Sequence, residues 1–203
     1  MEGRSGNVKK IVIATKNQGK IREMLHAFAG LDVELVSLAA FGPLPDAIED
    51  GDTFADNARI KAAFYREQTG CACLADDSGL SVAALDGAPG VYSARFAGDH
   101  ADDAANNARL LAELAKKGAA SSDAAYHCVL AFCDLDGTVL TAEGICRGTI
   151  RGEARGTGGF GYDPYFYIGE KTMAELTLAE KDGVSHRGAA LRQMAKKLEE
   201  YLG

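Results

Sequence analysis

The feature that most constrains the fold is a change of rhythm part-way along the chain. The segments "AYHCVLAFCD" (125–134) and "TVLTAEGICRGTI" (138–150) are separated only by "LDG", a hairpin signal that makes them antiparallel neighbours. Ahead of them, strand-like and helix-like segments alternate. "VKKIVIAT" (8–15) reads as a strand, "IREMLHAF" (21–28) as a helix with Ile21, Met24, Leu25 and Phe28 at helical spacing, and "VELVSL" (33–38) as a second strand. A helix from about Thr53 to Glu67 follows, then "ACLA" (72–75), read as a third strand that ends at Asp76 and Asp77. Strand–helix alternation followed by a hairpin predicts an α/β protein with a mixed sheet.

Further on, "ADDAANNARLLAELAKKG" (101–118) is a helix that begins in acids and ends in lysines, as the helix dipole favours. "GLSVAALDGAPGVYSARFAG" (79–98) reads as irregular, "FGYDPYFYI" (160–168) as strand-like but interrupted by Pro164, and "SHRGAALRQMAKKLEEYL" (185–202) as a closing helix with Leu191, Met194 and Leu198 on one face. Neither an internal repeat nor a low-complexity linker is visible, so residues 1–203 read as one domain with a short polar leader at 1–7.

Composition narrows the class. With 47% apolar residues a full core is available, and a net charge of −7 without clustered Lys and Arg argues against a nucleic-acid face. No apolar run is long enough to span a bilayer, and the start "MEGRSGNVKK" lacks the apolar centre of a signal peptide. These features predict a cytoplasmic protein. Cys71, Cys73, Cys128, Cys133 and Cys146 are odd in number and form no CxxC pair, so they read as reduced, mostly buried thiols. The four histidines show no zinc-binding spacing.

Several polar residues stand where packing alone does not require them. Asp76 and Asp77 are adjacent at the end of an apolar run, where Asp-Ser-Gly can also form a turn. "TKNQGKIRE" (15–23) lies between a strand and a helix, so free N–H groups at the helix start, capped by Asn17, can hold phosphate beside Lys20. Lys61 shares a helical row with Phe54, Ala58 and Tyr65, either snorkelling to solvent or facing an anion in a cleft. "GTGGFG" (156–161) matches GxGxxG literally but precedes no helix, so it is not a dinucleotide fingerprint; beside Phe160 and Tyr162 it suits a flat ligand or a plain core loop. Ser185 reads as a helix N-cap, which puts His186 and Arg187 in a first turn where cations oppose the dipole.

Together these pieces resemble the inosine/xanthosine triphosphate pyrophosphatase family, also called the Ham1-like non-canonical purine NTP pyrophosphatases. The likeness rests on "ATKNQGKIRE" (14–23), "DTFADNARIKA" (52–62), "ADDSGLSVAALDGAPGVYSARFAG" (75–98), "GTGGFGYDPYF" (156–166) and "EKDGVSHRGAAL" (180–191), in that order over nearly the whole chain. Two departures are Lys16, where a small residue is common, and Asp56, where glutamate is usual. The resemblance implies an elongated mixed sheet flanked by helices, two lobes with a cleft between them, and usually a homodimer. It implies Mg2+-dependent cleavage of ITP, dITP or XTP to the monophosphate and pyrophosphate. By the same likeness, Thr15, Asn17, Lys20 and Lys61 hold phosphate, Glu49 and Asp77 bind the metal, and Asp76 and Asp77 are the catalytic carboxylates, Asp77 activating water. Ser78, Phe160, Gly161, Tyr162, Asp163, Lys181, His186 and Arg187 form the base pocket. A pyrophosphatase for other modified nucleotides and a non-catalytic nucleotide sensor are the alternatives.

Overall fold

The computed structural model describes residues 8–203; the leader read at 1–7 lies outside the described residues. In chain order the strands are β1 (Lys9–Ile13), β2 (Val33–Ser37), β3 (Ala72–Val82), β4 (Ser121–Cys133), β5 (Val139–Arg151), β6 (Phe166–Ile168) and β7 (Lys171–Thr172). The helices are α1 (Gln18–Ala27), α2 (Phe54–Thr69), α3 (Asp103–Lys116), α4 (Leu178–Val184) and α5 (His186–Leu202). One seven-stranded sheet runs β2-β1-β3-β4-β5-β6-β7. Its first three strands are parallel and the rest antiparallel, the mixed sheet that the alternation and the hairpin predict.

Strand alternation builds the core on both faces. On one face Ile11, Ile13, Leu74 and Leu130 pack under Met24 and Phe28 of α1 and Leu191, Met194 and Leu198 of α5. On the other, Val12, Cys73, Ala75 and Ala131 pack under Ala58, Ala62 and Tyr65 of α2. Towards the far end of the sheet a separate cluster joins Leu80 and Val82 to Leu110 and Leu114 of α3 and to Tyr162 and Phe166. Four of the cysteines are buried, Cys71 is half-buried, and all five are free.

Two readings of the sequence need correction. β3 does not stop at the aspartates but continues to Val82, with Asp76, Asp77 and Ser78 opposite Leu130, Val129 and Cys128 of β4. No turn forms at 77–79, because the long neighbouring strand satisfies this backbone as a ladder. The aromatic segment 160–168 is a strand only at Phe166–Ile168; before that the chain turns, with Tyr165 N–H donating to the Tyr162 carbonyl around Pro164, which has no N–H to give a ladder. Residues 178–184, which carried no expectation, form a short helix, α4, started by a capping box between Thr177 and Glu180, so Lys181 is helical.

Helix α5 approaches β5 closely enough to require glycine. A Cβ on Gly144 would lie 2.0 Å from the His186 carbonyl oxygen and 2.7 Å from Ala190 N. Gly144→Ala is therefore expected to lower the unfolding free energy by about 1–3 kcal/mol, the usual range for overpacking. Gly183→Ala, inside α4 where an added Cβ meets nothing within 4 Å, is expected to leave it unchanged or raise it by up to about 1 kcal/mol. Urea unfolding of the two variants measures this; equal stabilities would show that α5 does not rest on Gly144.

Candidate active site

Because successive side chains of a strand point to opposite faces, Asp76 and Asp77 are neighbours in sequence but not in environment. Asp76 is wholly buried on the α1 and α5 face. Its Oδ2 lies 2.8 Å from Lys20 Nζ and 3.4 Å from Arg187 Nη2. Arg187, only 2% exposed, gives Nη1 to Glu23 Oε2 at 2.9 Å and Nη2 to Ser78 Oγ at 3.0 Å. Lys181 Nζ lies 2.9 Å from Asp163 Oδ2 and 3.8 Å from Glu23 Oε1. Three acids, Glu23, Asp76 and Asp163, thus face three cations, Lys20, Lys181 and Arg187, and the buried network is balanced. Burial alone would raise the Asp76 carboxyl, but the charges of Lys20, Arg187 and Lys61 overcome it and hold Asp76 well below the usual carboxylate range.

The α2 face is not balanced. Lys61 is the lysine of the apolar row, and it neither snorkels nor stands free: Nζ contacts Glu49 Oε2 at 2.7 Å and the Asp76 carbonyl at 3.0 Å. Asp77 Oδ1 accepts the Ser78 N–H at 3.0 Å, while Oδ2 is buried without a partner among the described residues. Two acids, Glu49 and Asp77, share one lysine; Arg95 reaches only the Glu49 carbonyl. Burial pushes the Asp77 carboxyl up to about 6, the Lys61 charge opposing and the Glu49 charge adding to the rise.

The helix start capped by Asn17 forms as its sequence predicts. Asn17 caps α1, its Oδ1 accepting Lys20 N–H at 3.1 Å, and its own N–H donates to Thr15 Oγ1 at 3.2 Å. Across from it the glycine-rich loop presents Phe160, whose ring centroid lies 4.8 Å from Lys181 Nζ and 5.5 Å from the Arg187 guanidinium. Asp163 fixes this loop by accepting Phe160 N–H at 3.1 Å and the Tyr126 hydroxyl at 3.2 Å. Tyr162 is buried and donates its hydroxyl to the Ser93 carbonyl. His186 stacks on Tyr126 at 4.7 Å, and its Nδ1 has no partner among the described residues. Burial, with the charges of Arg187 and Lys181, holds His186 well below its ordinary pKa. It is a neutral imidazole at pH 7, not the second cation expected at this helix start.

A cavity of about 310 Å³ collects most of these groups. Asn17 and Lys20 line it from one side, Ser78 from the sheet, Phe160, Gly161, Tyr162 and Asp163 from the loop, and Lys181, His186 and Arg187 from α4 and α5. Thr15, Glu49, Lys61, Asp76 and Asp77 do not line it. Asp76 is tied to it through Lys20 and Arg187, and Glu49, Lys61 and Asp77 adjoin through the Asp76 carbonyl. Sequence reasoning missed Glu23, although its position three residues after Lys20 on one helix was a usable signal. It also missed Tyr126, Asp103 and Asn106, which line the same cavity from β4 and α3 and carry no local signature.

Among the described residues no three His, Cys, Asp or Glu side chains gather as a closed metal site. Magnesium does not need one: it keeps waters and takes one or two carboxylates besides phosphate oxygens. The uncompensated acid on the α2 face and the unpartnered Asp77 Oδ2 suit it.

The Ham1 family model matches residues 11–197. A dITP/XTP pyrophosphatase of Geobacter sulfurreducens is 50% identical over 184 residues, 90% of this chain and 92% of that protein. Another of Bacillus cereus is 45% identical over 199 residues, 96% of this chain and 97% of its own length. The solved structure of a HAM1 protein from Coxiella burnetii superposes with a TM-score of 0.87 at 41% identity, covering 95% of this chain and all of that one.

The Asp77 environment has a stability consequence. An acid whose pKa is higher folded than unfolded loses stability as pH rises, here from about 4, the ordinary carboxylate value, to about 6, the folded one. In EDTA, Asp77→Asn is expected to be more stable than the parent by about 2–3 kcal/mol at pH 8, given about 1.4 kcal/mol per pKa unit. The gain should vanish near pH 4. Denaturant curves from pH 4 to 8 measure it; a difference independent of pH would mean that Asp77 ionises normally.

Proposed function

The chain belongs to the Ham1 family, and from that premise we propose that it hydrolyses non-canonical purine nucleoside triphosphates, ITP, dITP and XTP, to the monophosphate and pyrophosphate. One observation carries the reading. A single cavity has an anion-holding helix start at one side and an aromatic ring with buried donors at the other, next to a carboxylate that burial tunes towards neutrality.

The roles follow from the contacts. Thr15, Asn17 and the start of α1 receive phosphate oxygens, and Lys20 and Lys61 supply charge; catalysis of phosphoryl transfer is mainly positioning and charge stabilisation. Asp77 takes the proton of the attacking water at Oδ2, its raised pKa suiting a general base. Water attacks the α-phosphorus, the bond to the α–β bridging oxygen breaks, and pyrophosphate leaves. Glu49 and Asp77 would hold magnesium, which supplies positive charge to the phosphate oxygens when bound. Asp76 stays ionised and keeps Lys20 and Arg187 in place. The purine stacks on Phe160, and its 6-oxygen meets the donors of Lys181 and Arg187, whose Nε–H is unspent. Adenine presents an amino group at that position, leaving buried donors unpaired, which is strongly penalised. A homodimer working in the cytoplasm belongs to the same reading and is supported by the family likeness.

Pyrophosphate release from ITP, XTP, GTP and ATP, with and without magnesium, tests the proposal. The expected result is the highest kcat/KM on ITP and XTP, loss of activity in EDTA, and a kcat lower by roughly a hundredfold or more in Asp77→Asn. A parent enzyme that prefers ATP or a pyrimidine triphosphate would overturn it.

A further inference from the structure

Helix α3 was legible as a helix but not as part of the site. Its first two turns carry Asp103, Asn106 and Asn107, on one face by their spacing. Asp103 Oδ2 accepts the Gly161 N–H at 2.6 Å, and Asn107 Nδ2 donates to the Gly161 carbonyl at 2.9 Å. Both backbone groups of one residue are thus held by one helix. Asn106 holds a second segment of the cavity lining, accepting Ala97 N–H at 2.8 Å and donating to the Ala94 carbonyl at 3.1 Å.

The residue held this way immediately follows Phe160. Gly156, Gly159 and Gly161 all have positive φ, so the loop bearing the ring has little conformational preference of its own. Phe160 also lies against the other side of the cavity: a Cβ on Gly19 would come within 3.2 Å of its ring. Asparagine is a poor interior helix residue. Asn106 and Asn107 are nonetheless buried, and Asn107 keeps a buried Oδ1 without a partner among the described residues. A site chosen for packing alone would favour an apolar side chain there.

We propose that Asp103 and Asn107 are positioning residues that clamp Gly161 and thereby set Phe160 for stacking on the base. They act on recognition of the base and not on that of the phosphates. The inference rests on the activity proposed above. Asp103 lines the cavity, whereas Asn107 acts only through the loop.

The test uses full-length Asp103→Ala, Asp103→Asn and Asn107→Leu, with KM and kcat for ITP and the inhibition constant of inorganic tripolyphosphate, which has no base. Asp103→Ala and Asn107→Leu should raise the ITP KM by roughly ten- to a hundredfold, as expected when a base loses its aromatic stacking partner. Tripolyphosphate inhibition should stay within about twofold, since its contacts lie at the phosphate turn. Asp103→Asn keeps an oxygen that accepts the Gly161 N–H and should restore most of the affinity. An unchanged ITP KM in Asp103→Ala, equal weakening of tripolyphosphate, or an Asp103→Asn as impaired as Asp103→Ala would each overturn the clamp while leaving the activity standing. Failure of the parent to hydrolyse ITP would overturn both.

Discussion

Everything at this site depends on the alternation of side chains along β3. One residue step sends Asp76 to the face covered by α1 and α5 and Asp77 to the face covered by α2. Two like charges are thereby given opposite conditions. Asp76 is enclosed by Lys20 and Arg187 and stays ionised despite complete burial. Asp77 is desolvated more than the Lys61 and Lys20 charges offset, with Glu49 and Asp76 adding to the rise, and its proton is held more tightly. A pair of environments that drives two carboxylates apart in pKa is what acid–base chemistry near neutral pH requires.

The balanced network around Asp76 also ties the two ends of the cavity together. Lys20, at the start of α1, and Arg187, at the start of α5, share Asp76 Oδ2. Arg187 and Lys181 are in turn joined through Glu23. Removing one member of such a buried set leaves a charge without its partner, a loss of about 3–5 kcal/mol. The network therefore ties the cavity walls to one another, and the group on the other face is left without such a balance.

Much of this was legible in the sequence, for reasons that differ by element. The mixed sheet followed from local rhythm, and the helix starts at Asn17 and Ser185 from capping chemistry, all of which are short-range. Most of the candidate site residues could be named because they sit in compact motifs. The extent of β3 was not legible, since whether Asp-Ser-Gly turns or continues depends on β4, about fifty residues away. The neutrality of His186 depends on burial under Tyr126 and on neighbouring charges, which no local pattern reveals. Glu23 and the α3 side chains enter the site only through tertiary contacts, so their residue types looked ordinary in their own helices.

The central claim is that one strand gives its two adjacent aspartates opposite proton affinities. The most direct measurement is an NMR titration of the carboxyl carbons of Asp76 and Asp77 in metal-free protein, assigned with Asp77→Asn. The account predicts that Asp77 titrates near pH 6 while Asp76 stays ionised down to the acid limit of the fold. Titration of both near the ordinary value of about 4, or a higher value for Asp76 than for Asp77, would contradict it.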